Sequence, residues 1–301
     1  IALYKTVKSM GIAGNFYTTL DEACKSEKID AVYIITPTFT HLELIKTALK
    51  HGLDIFIEKP VSLTSAQQKE LANIKTDKII HTGYTLLNNR IFQAVARLIG
   101  SKIYGKVLSF TGTFEHGEVF GPKKGWMFNK QFSGGGVLMN PGPHFFSLLH
   151  LFFGKPKDIK GVINKVYSPD LDDEVRAELN YAGFSGKVFL SWSVKGRNVA
   201  HSKFVIKLEK ATLQTDGEKI LITQGKKVAT ISPSQLPRLT EPIFNINPKA
   251  NGEAYYLENL AFVEAILGKK AKVPNDLKTA LQIESTIFEC YKMCKMSEVR
   301  Q

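Results

Sequence analysis

The chain has 301 residues, is 44% hydrophobic and carries a formal net charge of +12. That length allows two domains or one large one, no apolar run reaches the roughly eighteen residues of a membrane span, and the lysine-bearing stretch 1–10 does not read as a signal peptide. The basic residues are scattered, which argues against nucleic acid and leaves a solvated surface or the phosphates of a small ligand as the use of the excess.

The first hundred residues alternate helix and strand. Thr19 with Glu22 three residues later reads as a capping box opening a helix. "DAVYIITP" then runs apolar to Pro37, as a strand buried on both faces does. "THLELIKTALKHG" is an amphipathic helix ended by Gly52. "LDIFIEKP" is the next buried strand, "SLTSAQQKELANI" a helix with Thr64 and Gln67 as a second capping box, and "KIIHTGYT" a third strand. This β-α-β-α-β order predicts a doubly wound parallel sheet. Ligands of such sheets sit at the carboxyl ends of the strands, here Thr36-Pro37, Glu58-Lys59-Pro60 and Gly83-Tyr84.

From about Gly105 the rhythm changes. "KVLSFTGTFE", "IKGVINKVY", "VRAELNY", "KVFLSWSV", "KFVIKLEK" and "KILITQ" are short strands with few helices between them, which predicts an antiparallel sheet. "KVFLSWSV" places Val188, Leu190, Trp192 and Val194 on one face and Phe189 on the other, so the outer face is expected to be fairly apolar and to self-associate. Two helices close the chain, after a proline-bearing connection over 232–252. The fold class is therefore α/β: a doubly wound domain over 1–100, and an α+β domain with a large, mostly antiparallel open sheet over 101–301. Cys24, Cys290 and Cys294 argue against a disulfide framework, fit a reducing, cytoplasmic setting and do not make a metal-ligand set.

A dinucleotide-binding sheet normally opens with a strand, a G-x-G-x-x-G turn and a helix. "GIAG" at 11–14 lacks that spacing. Either the first βαβ unit lies outside this sequence or the sheet never held a dinucleotide. A start inside a helical pattern (Leu3, Val7, Met10) favours the first reading.

The chain resembles the Gfo/Idh/MocA oxidoreductases. "DAVYIITPTFTHLELIKTALKHGLDIFIEKPVSLT" is similar to their second Rossmann half, with its TP-x-x-x-H turn and Glu-Lys-Pro signature. "SGGGVLMNPGPHFFSLLHLFFG" is similar to their G-G-G-x-x-x-D-x-G-x-H-x-x-D helix. The resemblance runs from Gly11 to about Lys295. It implies NAD or NADP on a partial Rossmann domain, and oxidation of a sugar, cyclitol or nucleotide-sugar hydroxyl by hydride transfer to nicotinamide. It also implies self-association, as a dimer or tetramer, through the second-domain sheet. Asn140 and Ser147 stand where relatives have aspartates. The Asn-x-x-x-His-Phe-Phe run is similar to dehydrogenases of UDP-N-acetylglucosaminuronate. With both aspartates lost, the rival expectation is an idle relative that binds nucleotide or sugar and acts through a protein partner.

Each candidate residue has a functional and a structural reading. His144 is the expected base, since imidazole titrates near neutrality; a core histidine is the alternative. Lys59 is an electrostatic donor to the reacting hydroxyl, or a turn lysine at the surface; its bond to Pro60 is usually cis in relatives. Asn140 orients substrate, or simply caps a helix that starts at Pro141. Thr36, Pro37, His41, Glu58, Lys59 and Pro60 are candidate cofactor contacts because they cluster at strand ends. Trp126 covers the substrate or packs its own loop. Gly134–Gly136 let backbone approach a ligand, or form a tight turn.

Overall fold

The computed structural model describes residues 14–122, 125–236, 252–269 and 275–298. The helical pattern before Gly14, most of the 232–252 connection, and Lys123 and Lys124 lie outside them.

The first unit runs α1 (Leu20–Ser26), β1 (Ala31–Ile34), α2 (His41–Lys50), β2 (Asp54–Ile57), α3 (Ser65–Ala72), β3 (Ile80–Thr82) and α4 (Arg90–Ser101). The three strands form a parallel sheet in the order β1-β2-β3. Ile55, Phe56 and Ile57 of β2 are all buried, as a central strand covered on both faces requires. The Thr19 and Thr64 hydroxyls cap their helices by accepting the Glu22 and Gln67 N–H groups. Their partner side chains do not close a box on the cap itself. Glu22 accepts from the Thr18 N–H and Gln67 from the Leu63 N–H, each one residue earlier.

The second unit contains β4 (Val107–Glu115), a short helix α5 (Lys130–Ser133), α6 (Gly142–Phe153), β5 (Asp158–Lys165), β6 (Glu174–Asn180), β7 (Ser185–Ser191), β8 (His201–Leu208), β9 (Thr212–Thr215), β10 (Ile220–Gln224), β11 (Lys227–Ile231), α7 (Gly252–Ile266), α8 (Leu277–Met293) and β12 (Lys295–Glu298). Nine strands form one sheet in the order β11-β10-β9-β8-β4-β7-β6-β5-β12. It is mixed: β4 runs parallel to β7 and β12 parallel to β5, and the remaining pairs are antiparallel.

Burial alternates along these strands, so one face is the core. Phe145 of α6 stacks on Phe204 of β8 with ring centroids 5.1 Å apart, and Phe92 of α4 meets the same ring edge-on at 6.1 Å. Gly112 makes this contact possible: a Cβ there would stand 2.8 Å from the tip of the Phe145 ring. Val188, Leu190 and Trp192 are buried on this face as expected. The outer face is not the apolar surface anticipated. Arg176, Glu178, Lys187 and Lys203 line it in the open, with Phe189 half-covered by the Arg176 guanidinium 4.2 Å from its ring centroid.

Candidate active site

β2 ends at Ile57, Pro60 just beyond it cannot donate to a ladder, and the Lys59–Pro60 bond is cis. The half-buried Lys59 side chain crosses to the second unit and donates from Nζ to the Asn140 carbonyl at 2.9 Å. That carbonyl stands at the entrance to α6. The helix begins at Gly142 with Pro141 at its cap, one residue later than expected, and no side chain caps it. Asn140 is therefore not an N-cap. Its Nδ2 lies 3.1 Å from the Met127 sulfur, a weak acceptor.

His144 lies in the first turn of α6. Its ring is met edge-on by Tyr84, with centroids 6.5 Å apart, and its Nδ1 is buried without a hydrogen-bond partner. Burial holds this imidazole well below its usual pKa, and the Lys59 charge adds to the effect. It is thus neutral at physiological pH. Burial also lowers the Lys59 amine, against the pull of Glu58. Glu58 is raised by burial, with Lys59 opposing. Ser147 is fully buried and spends its hydroxyl on the His144 carbonyl at 2.7 Å, so it does not reach the site.

The triple glycine has a packing reason. A Cβ on Gly135 would stand 2.0 Å from the Tyr291 hydroxyl, and one on Gly136 would stand 1.9 Å from the Asp172 carbonyl. The buried Asp172 carboxylate accepts the Gly136 and Leu138 N–H groups and the Tyr291 hydroxyl. This clamp fixes the segment that delivers Asn140 and His144. The glycines approach protein rather than an open site.

Thr36 is exposed at the end of β1, where its hydroxyl pairs with that of Thr40 at 2.6 Å. Pro37 starts the turn that follows. His41 is buried, and both ring nitrogens are occupied, Nδ1 by the Pro60 carbonyl and Nε2 by the Thr36 carbonyl, each at 2.9 Å. It ties the two turns together and offers no ring nitrogen outward. Trp126 is half-buried in a short turn, and it is its neighbour Met127 that touches Asn140. Lys59, Asn140 and His144 are therefore brought together. Thr36, Pro37, Glu58 and Pro60 ring the same strand ends.

Sequence reasoning placed Tyr84 at a ligand-side strand end without giving it a role, and missed Glu258 and Glu284. The signal was present for the two glutamates. Glu284 falls on the buried stripe Ala280–Ile283–Ile287–Cys290 of α8, and Glu258 on the stripe Ala254–Ala261–Phe262 of α7. A carboxylate in such a stripe must be matched by donors. Among the described residues, no group of three or more His, Cys, Asp or Glu is placed to hold a metal. No helix there is long and apolar enough to cross a membrane.

Two family profiles match the chain: an oxidoreductase family with an NAD-binding Rossmann fold over residues 3–84, and the GFO/IDH/MocA C-terminal domain over residues 92–214. The chain belongs to the GFO/IDH/MocA oxidoreductase family. Among curated relatives, Oxidoreductase P35 of Formosa agariphila is 27% identical over 187 residues, covering 58% of this chain and 57% of its own. An uncharacterized oxidoreductase of Synechocystis is 27% identical over 146 residues, 48% of this chain and 39% of its own. The chain thus spans only about two-fifths to three-fifths of those relatives. Levoglucosan dehydrogenase, solved with NADH and levoglucosan, superposes with a TM-score of 0.83 at 20% identity, over 96% of this chain and 84% of that one. A 3-ketoreductase from Actinomadura kijaniata, solved with TDP-benzene and NADP, superposes with a TM-score of 0.79 at 16% identity, over 98% and 87%. At such identities these two matches establish the fold.

Proposed function

We propose that the chain serves an NAD(P)-dependent dehydrogenase that oxidises a hydroxyl of a sugar, cyclitol or nucleotide-sugar. The observation that supports it best is the Lys59–Asn140 contact, which sets the Glu-Lys-Pro lysine beside His144. The polar groups at the strand ends fit the nicotinamide end of a dinucleotide. They comprise the exposed Thr36 hydroxyl, the Lys59 ammonium and the Glu58 carboxyl, with Pro37 and Pro60 shaping their turns and His41 tying the turns together. The phosphate end has no such support among the described residues, whose β1, β2 and β3 turns lack G-x-G-x-x-G. NAD or NADP, when bound, supplies a hydride acceptor.

The protein's part is proton transfer and charge. The neutral imidazole of His144 takes the hydroxyl proton. The Lys59 ammonium, oriented by the Asn140 carbonyl, favours the alkoxide that develops. The Asn140 amide, bound only to a sulfur, is free to exchange that partner for a substrate hydroxyl. Trp126 and Met127 would border the substrate. We also place the domain boundary near residue 100, the protein in the cytoplasm, and a dimer or tetramer contact on the outer sheet face. Its lysines make that contact stronger when salt screens them.

A second reading, an idle relative acting through a partner, draws on Asn140 and the sequestered Ser147, neither of which is a carboxylate. Incubation with NAD or NADP and a panel of sugars separates the two. Reduced nicotinamide forms under the first reading and does not under the second.

A further inference from the structure

We infer that Glu284, from α8, is the positioning residue that fixes Lys59 and braces His144. Lys59 sits on a turn whose later backbone donors have no partner in the β-ladder. Glu284 supplies one: Oε1 accepts the Val61 N–H at 2.5 Å, and Oε2 accepts the Ser62 N–H at 3.1 Å together with the Ser62 hydroxyl. The same carboxylate receives the Tyr84 hydroxyl at 3.4 Å, and Tyr84 is the ring that meets His144 edge-on. One side chain therefore holds the turn that aims the ammonium and the tyrosine that backs the imidazole.

Glu284 is 1% exposed and comes from a helix more than 220 residues further along the chain. A carboxylate buried that deeply is costly unless its lone pairs are filled. Here four donors fill them, and all four belong to the candidate site's own scaffolding. Burial still pushes the acid up to about 7, with the donors pulling it back down. Charge-assisted bonds to backbone N–H groups are stronger than neutral ones, so the carboxylate fixes the turn more firmly than an amide can. An amide at the same place would also turn a donor toward the Val61 or Ser62 N–H.

The inference rests on the dehydrogenase reading for what Lys59 does, and not for how it is held. Two readouts keep these apart: kcat with the best sugar and cofactor, and the titration of Lys59 followed by competitive amine labelling and peptide mass spectrometry. Glu284→Gln should lower kcat on the order of 10- to 100-fold, the scale of a misplaced catalytic group, with less change in KM. In the same variant Lys59 should titrate near the ordinary lysine value of about 10.4, because it is no longer held in its buried position. Glu284→Asp should fall between wild type and Gln in both.

Asp173→Asn is the control. Asp173 is a buried carboxylate that accepts the Val166, Tyr167 and Ser168 N–H groups away from the Lys59 turn. Its loss should lower stability without moving the Lys59 titration. An unmoved Lys59 in folded Glu284→Gln overturns the inference. If that variant does not fold, an unmoved Lys59 in Glu284→Asp overturns it equally. A shifted Lys59 with no turnover even in wild type upholds the positioning role and removes the dehydrogenase reading.

Discussion

The Lys59 ammonium lies 2.9 Å from the carbonyl of Asn140, a residue on the other side of the interface between the parallel sheet and helix α6. The contact joins two sequence motifs that neither sheet alone would bring together. It places a fixed positive charge beside an imidazole that burial and that charge keep neutral.

His144→Ala should reduce kcat by about 100-fold or more, the range for loss of a general base. Steady-state kinetics with saturating cofactor checks it. Cofactor affinity should change little, because the strand-end residues proposed to hold it are untouched. An equal loss in cofactor affinity would place His144 in the wrong role.

The acid limb of kcat/KM should lie below pH 6.5, since a histidine with a lowered pKa stays unprotonated further into acid. Asn140→Asp should move that limb to higher pH, because a carboxylate near the ring favours imidazolium. The mutation removes no helix cap, as α6 has no side-chain cap to lose. An unmoved limb would take Asn140 away from His144 in the working enzyme.

Gly136→Ala should destabilise the fold by about 1–3 kcal/mol, the usual cost of overpacking. Its Cβ would meet backbone, the Asp172 carbonyl, which cannot rotate aside. Urea unfolding of the variant measures the loss. A stability equal to wild type would mean that the glycine is there for a ligand after all.

Much of this was legible in the sequence. The β-α-β rhythm and the buried strand β2 follow from apolar runs, but β1 is not buried on both faces as its apolar run suggested, since Tyr33 and Ile35 are exposed and only Ile34 is fully covered. The pairing of Lys59 with His144 is what the family resemblance of the two motifs implies. Helix α4 went unread although Asn89 caps it, accepting the Ile91 and Phe92 N–H groups, and Ile91, Phe92 and Val95 repeat at helical spacing. Strand β12 could not be read, because "KMSE" has no strand pattern and pairs only through backbone with β5. The charged outer face was misjudged from one strand. Lys187 and Phe189 alternate outward on β7, but the neighbours that set the character of that face, Arg176 and Glu178, come from β6. Glu284's place in an apolar stripe was legible, but its partners were not, because they lie on a distant turn.

Stability should fall as pH rises from about 6.5 to 8. Burial raises Glu258 to about 8 and Glu284 to about 7, so between an unfolded value of about 4.3 and those values the folded chain holds protons that the unfolded chain has released. His81 and His150 are lowered to about 4, which gives the opposite slope, but only between about 4 and 6.5. Above 6.5 these two histidines no longer contribute and the two carboxylates drive the decline, at up to about 1.4 kcal/mol per pH unit for each proton. Glu258→Gln should flatten the decline between pH 7 and 8 in urea titrations. An unchanged decline would assign it to other groups.

The pairing of Lys59 with His144 as the working centre is tested most directly by the near-ultraviolet absorbance of reduced nicotinamide. The protein is assayed in a form that includes a G-x-G-x-x-G unit, because residues 1–301 alone are expected to hold a dinucleotide poorly, and is mixed with NAD or NADP and a sugar panel as wild type, Lys59→Met and His144→Ala. Wild type should reduce cofactor with at least one sugar or nucleotide-sugar, and each substitution should slow that step by about 100-fold. Reduction at an undiminished rate in both variants would contradict the account.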